Sequence, residues 1–130
     1  MKRTEWLFEY VGSKLAEAAR ARLIHHRDRL TWWQSRKEEI LTKIRSEGLE
    51  VDENVALTLP HPKARDWERG ANVMIRNDLQ QDLDQCLRKL AFHSGQSNQY
   101  EGWVEVLAAN PGQTMRLDYE DWQFFFGKDQ

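Results

Sequence analysis

Residues 16–44 read AEAARARLIHHRDRLTWWQSRKEEILTKI, and the fold turns on how this stretch is stepped through. Taking alternately every third and fourth residue gives Ala16, Ala19, Leu23, His26, Leu30, Trp33, Lys37, Ile40 and Ile44. This is the a/d stripe of a helix that lays one face along a partner helix. A second stripe of the same kind follows later in the chain: Leu79, Leu83, Cys86, Leu90, His93, Ser97, Tyr100, Val104 and Leu107. The two stripes are read as the arms of one antiparallel, coiled-coil-like helical hairpin in a mostly α protein. A single helical domain over 1–130 is expected.

The rest of the chain is read outward from these stripes. Residues 13–47 hold no Pro or Gly and are rich in Ala, Leu, Arg, Lys and Glu, so they predict helix 1. Gly48 is placed as its C′ residue, with Lys43 and Arg45 suiting the dipole of the last turn. Before it, residues 1–12 form an aromatic segment with Trp6, Phe8 and Tyr10, which either turns a different helical face or breaks at Gly12-Ser13. Residues 48–66 are the connection. Val55–Leu59 tolerates a strand, and Pro60-His61-Pro62 forces an extended path. Such a length is long for a hairpin, so part of it is expected to pack or to carry function.

Helix 2 is predicted over 67–109, with Asp66 as candidate N-cap and a kink or break near Gly95 left open. Asn110-Pro111-Gly112 ends it. Residues 110–117 make a turn and an extended segment. A short helix then occupies 118–126, with Asp118 as N-cap, Asp121 at N3, and a staple from Leu117 to Trp122. Three consecutive phenylalanines, 124–126, require that helix to be covered on more than one side. The tail is expected to fold back onto Phe92, Trp103 and Val106 and onto the Trp6/Phe8 patch, giving an aromatic cap at the open end of the hairpin.

Composition narrows the functional classes. The net charge of -2 conceals a gradient: residues 1–47 carry eleven Lys/Arg against seven Asp/Glu, and residues 96–130 carry two against six. A single cysteine, Cys86, excludes an intrachain disulfide, and its place on the second stripe reads as a small buried apolar residue. No secretory leader is apparent, and no stretch approaches the ~20 apolar residues of a membrane span. A cytoplasmic location without membrane contact is the expectation.

Four constellations are candidates for function. Arg22, Arg29, Arg36 and Lys43 recur every seven residues beside the first stripe, which suits a phosphate backbone; Glu17, Asp28, Glu38 and Glu39 interrupt that face, and such side chains also flank ordinary helical seams. His26 and His93 both fall on stripes, and antiparallel pairing about the connection brings them opposite each other as a polar layer that fixes register. His25, His26, His93 and Cys86 offer metal-ligating types, but without the close spacing of a dedicated site, so no metal or other cofactor is expected. Ile24 and Trp32 point away from the first stripe, and an aromatic residue flanked by Arg29 and Arg36 has the composition of an interface centre.

Other features have plainer readings. His26-Arg27-Asp28 matches part of a kinase catalytic loop, but it lies within a helix and no Gly-rich loop accompanies it. Asp78, Asp82 and Asp84 line a solvated flank. No catalytic constellation emerges. The expected function is a non-enzymatic interaction or adaptor protein whose partner is another protein, acting as a homodimer in which two hairpins form a four-helix bundle. A nucleic-acid-associated role through the basic ridge is the alternative. A metal-dependent enzyme on facing helices ranks third.

Overall fold

The computed structural model describes residues 8–51, 55–58 and 66–128, with the backbone alone for Thr58 and residues 66–73. The element order is β1 (Phe8–Val11), α1 (Gly12–Ser46), β2 (Glu50–Val51), β3 (Leu57–Thr58), α2 (Asp66–Ala109), β4 (Thr114–Leu117) and α3 (Tyr119–Phe126). The protein is mostly helical, and its two long helices pack together. No helix among the described residues is long and apolar enough to cross a membrane. Trp6 and Pro60-His61-Pro62 lie outside the described residues.

Both stripes face inward. Ala16, Ala19, Leu23, His26, Trp33, Ile40 and Ile44 of α1 are buried, as are Leu79, Leu83, Cys86, His93, Ser97, Tyr100 and Leu107 of α2. By compactness the chain divides into two units. One contains residues up to Arg29 together with those from Phe92 onward; the other is Leu30–Ala91. α2 runs unbroken through Gly95, where an added Cβ would meet nothing within 4 Å.

The unit formed by residues 8–29 and 92–128 has a core of Leu15, Ala16, Ala19, Leu23, Tyr100, Leu107, Leu117 and Phe125. Small residues on α1 face large ones from α2, β4 and α3. Phe8–Val11, read from the sequence as an apolar patch of helical or broken chain, is a strand. It pairs antiparallel with β4, with Phe8 opposite Leu117 and Val11 opposite Thr114. The ladder places β1 beside β4 and the α3 that follows it, so Phe8 packs against Trp122 at 5.8 Å and Tyr10 against Phe126 at 4.7 Å between ring centroids. Trp103 meets Phe125 edge-on at 5.8 Å. Val106, expected under the tail, is instead exposed.

The first amides of α1 have no partner within their own helix. Here the Gly12 N–H donates to the Gln113 carbonyl at 2.8 Å and the Ser13 N–H to the Pro111 carbonyl at 2.9 Å. The approach is close enough that a Cβ on Gly12 would run into the Asn110 carbonyl oxygen. Glycine is therefore needed at residue 12 for space.

The Leu30–Ala91 unit is built differently. Its core is Trp33, Ile40, Ile44, Leu49, Leu57, Leu79, Leu83 and Cys86. α1 ends as expected at Gly48, which adopts φ 73°. Gly48 N–H donates to the Arg45 carbonyl at 3.0 Å and Leu49 N–H to the Ile44 carbonyl at 3.1 Å, a Schellman close that turns Leu49 into the core. β2 and β3 then pair antiparallel, Glu50 with Thr58 and Val51 with Leu57. The Gln80 side chain binds this connection twice, accepting from the Leu57 N–H at 2.7 Å and donating to the Val55 carbonyl at 2.9 Å.

α3 matches its expected bounds. The Asp118 side chain accepts from the Asp121 N–H at 2.8 Å, which satisfies one of the orphan donors of the first turn. Glu120 and Asp121 add negative charge where the helix dipole favours it.

Candidate functional site

The unit of residues 8–29 and 92–128 holds a polar layer within its core. His26 and His93, one from each long helix, are 3 % and 2 % exposed, and their Nδ1 atoms lie 2.8 Å apart. Two imidazoles at this distance share one hydrogen bond, with one Nδ1 donating and the other accepting. At most one of these two atoms can therefore lack a lone pair for the bond, and a doubly protonated pair cannot form it. Neighbouring rings hold the layer in place. His25 stands edge-on to both His26 and His93, Phe92 stands edge-on to His26, and Tyr100 stacks on His26 at 5.6 Å and 14°. One turn beyond His93, the Ser97 hydroxyl is buried with no hydrogen-bond partner among the described residues.

Above this layer lies a cleft of about 250 Å³ between α1, α2 and α3. Its floor is made by Arg22, His26 and Tyr100, all buried. Its rim carries Glu120, Gln123 and Lys128, all exposed. The Arg22 guanidinium donates to the Gly127 carbonyl at the end of α3, and the Tyr100 hydroxyl donates to the Phe124 carbonyl at 2.5 Å. Both bonds tie α3 to the long helices and shape the cleft.

Arg22 is thus turned into the fold, where the sequence placed it in an exposed basic ridge. The remaining three ridge positions differ among themselves. Arg29 is half-buried, Arg36 is half-buried and pairs with Glu39 at 3.3 Å, and Lys43 is exposed. In the heptad pattern all four look alike. What separates Arg22 is the carbonyl of Gly127, which lies 105 residues away in sequence.

Of the outward-facing residues on α1, Ile24 is 60 % and Trp32 is 50 % exposed. Trp32 stands edge-on against the buried Trp33, with ring centroids 4.7 Å apart. The ring thus rests against Trp33 while half of the residue is exposed to solvent. Arg36 lies one turn further along the helix.

In the Leu30–Ala91 unit, Cys86 is fully buried, and burial pushes its thiol pKa up. Arg36 and Lys37 act in the opposite direction to a smaller extent, while Asp82 reinforces the rise. A thiol held in its neutral form is a poor nucleophile and a poor metal ligand. Among the described residues, no group of three or more His, Cys, Asp or Glu side chains is arranged to hold a metal ion.

The cleft was not anticipated from the sequence. Gln96, Gln123, Phe124 and Lys128 belong to it by tertiary contact alone. One signal was present: His93, Ser97 and Tyr100 are three successive stripe positions with polar atoms. A stripe that serves only to exclude water has no use for such a run. Set against protein families, curated proteins and solved structures, the chain matches none.

Proposed function

We propose that this protein is a non-enzymatic interaction protein built on a helical hairpin, and that another protein docks on the outer face of α1 around Trp32. The hairpin reading is supported within each unit separately. His26 meets His93 in one, and Trp33, Ile40 and Ile44 share a core with Leu79, Leu83 and Cys86 in the other. The observation that carries the function is Trp32. It is half exposed, yet packed edge-on against Trp33. Large aromatic side chains dominate binding energy at interface centres. One already fixed by a neighbour loses little conformational freedom when a partner covers it. Arg36, one turn further along α1 in the same unit, supplies a polar contact at the margin.

The test is co-purification with native lysate, followed by direct binding of whatever protein is recovered. Trp32→Ala is expected to weaken binding by about 2 kcal/mol, the scale of an interface hot spot. Binding is also expected to change little with salt. Retention of binding by Trp32→Ala overturns the reading. So does nuclease-sensitive capture that falls steeply with salt and with Arg29→Glu, the behaviour of a phosphate-binding ridge. The homodimeric bundle is tested alongside: a monomeric mass by light scattering across a tenfold range of concentration removes it.

A further inference from the structure

We infer that the outer edge of β4 is a docking site for an extended peptide segment of another protein, which adds a strand to the β1–β4 ladder and inserts an apolar side chain beside Met115. The edge belongs to the unit of residues 8–29 and 92–128 and shares no residue with the Trp32 face.

The ladder fixes which backbone groups are already used. Directly opposite residues in an antiparallel pair alternate between those that exchange backbone hydrogen bonds and those that exchange none. The Gly12 N–H donates to the Gln113 carbonyl, in register with the strand pairs that follow. By that alternation Tyr10–Met115 and Phe8–Leu117 are the bonded pairs. Glu9 and Val11 of β1 and Thr114 and Arg116 of β4 turn their N–H and C=O groups outward, to the two edges of a two-stranded sheet. Among the described residues, nothing pairs with those of Thr114 and Arg116. Two donors and two acceptors, spaced about 7 Å along a strand, are the complement of main chain in the extended conformation.

The β4 edge also has a groove. It measures about 240 Å³ and is lined by Trp103 of α2, by Met115, Arg116 and Leu117 of β4, and by Asp121 and Phe125 of α3, among others. Met115 and Leu117 lie on one face of the ladder and Arg116 on the other. A space reached from both faces of β4, but by no residue of β1, lies along the edge of β4 away from β1. A residue added opposite Met115 projects its side chain on the Met115 face, where Trp103, Leu117 and Phe125 supply apolar surface. Strand edges are commonly closed by a charged side chain. Arg116 does not close this one: its Nε donates to Glu9 at 2.9 Å, which draws the guanidinium across the ladder toward β1.

Charge sets the end of the segment. β4 leads at Leu117 into α3, where Asp121 lies on the groove. Among the described residues its carboxylate makes no hydrogen bond or ion pair, whereas Arg116 is already paired with Glu9. A Lys or Arg two residues from the inserted side chain complements that end. A second copy of this chain pairing through its own β4 brings only Arg116 as a cation, and that side chain is engaged.

The probe is the blocked peptide acetyl-Thr-Lys-Thr-Leu-Thr-Lys-Thr-amide, whose leucine and two lysines share one face in either strand direction. The full chain, ¹⁵N-labelled, is titrated and followed by chemical shifts and calorimetry. Shift changes are expected at the Thr114 and Arg116 amides and at the Trp103 indole. N-methylation of the two threonines beside the leucine blocks the edge contacts and is expected to weaken binding about tenfold. Alanine in place of the leucine is expected to weaken it by a similar factor. Thr114→Pro removes an outward N–H that the ladder does not use, and is expected to weaken binding about fivefold with the circular dichroism unchanged. Asp121→Asn is expected to weaken it about threefold, and to have no effect on a peptide with glutamine in place of both lysines. Undiminished binding of the N-methylated peptide overturns the inference. So do shift changes confined to Glu9 and Val11 or to residues 30–91, and so does the absence of any response to millimolar peptide in folded protein. Broadening at Thr114 and Arg116 that grows with protein concentration in the absence of peptide assigns the edge to a second copy, and overturns it as well.

Discussion

The two compact units of this protein use the same two helices to build cores of opposite character. In Leu30–Ala91 the stripes supply Trp33, Ile40, Ile44, Leu79 and Leu83, and the core is apolar, one indole among aliphatic side chains, with one buried thiol. In residues 8–29 and 92–128 they supply Ala16 and Ala19 on one side and His26, His93, Ser97 and Tyr100 around a polar layer. The small alanines leave room, and aromatic side chains from the strand pair and α3 fill it. A continuous a/d register thus specifies that two helices meet. It does not specify whether the meeting surface is a dry seam or a polar layer beside a cleft. That depends on which residues occupy the stripe and on what the chain ends bring to it.

The largest effect expected from this difference concerns the apolar core. Leu83 is 1 % exposed, and Leu83→Ala is expected to destabilise the protein by about 2–5 kcal/mol in urea denaturation. Hydrogen exchange in the same variant sharpens the comparison. Amides in residues 30–91 are expected to lose protection before those in 8–29 and 92–128. Equal loss in both sets means that the two units unfold as one, and the contrast between them is then one of composition only.

The polar layer comes next. His93→Leu leaves the buried Nδ1 of His26 without its bond to His93 and is expected to cost about 1–3 kcal/mol. The layer also predicts a pH dependence with a definite sign. The native pair loses its hydrogen bond when both rings are protonated, whereas the unfolded chain protonates both freely near the ordinary histidine value of about 6.5. The unfolded state then binds more protons, so stability falls as pH falls through that range. Thermal melts from pH 8 to pH 5 are expected to show the decline. The double variant His26→Leu, His93→Leu is expected to flatten it, since it removes the titrating pair and leaves an apolar contact. An unchanged profile in the double variant assigns the acid sensitivity elsewhere.

The smallest effect is a gain. Gly95 lies in the middle of α2, is exposed, and has open space where a Cβ would be. Gly95→Ala is expected to stabilise by about 0.5–1 kcal/mol, chiefly by restricting the unfolded chain. A loss of stability instead means that α2 needs freedom at Gly95 which the static helix does not display.

Much of the architecture was legible because it is local. Three- and four-residue steps report which face of a helix is buried, and the buried positions along both helices follow them. Gly48 stops α1 because only a residue tolerant of positive φ closes the helix in this way. Asp118 starts α3 because its carboxylate reaches the Asp121 N–H three residues on. The β1 strand was missed for the converse reason. Phe8–Val11 is only four residues long, and its strand partner begins at Thr114. A window of four residues is too short to distinguish alternation from chance, and nothing within it identifies a partner so distant. Leu15 was missed as well. It lies off the stripe but is fully buried, because the core of its unit extends to Leu117 and Phe125 at the far end of the chain.

The sequence by itself determined the helices, the caps at Gly48 and Asp118, the inward faces and the candidate pairing of His26 with His93. Each of these follows from backbone periodicity, from a side chain acting within a few residues of itself, or from antiparallel counting along two such stripes. Only the tertiary structure decided the 2.8 Å contact within that pair, the inward turn of Arg22 and the existence of the cleft. Those features depend on groups such as the Gly127 carbonyl and the Phe124 ring. Their positions are fixed by the closing of α3 over the long helices and by the pairing of β1 with β4. Contacts between segments so far apart in sequence leave no periodic trace in either one, so they become visible only once the chain has folded.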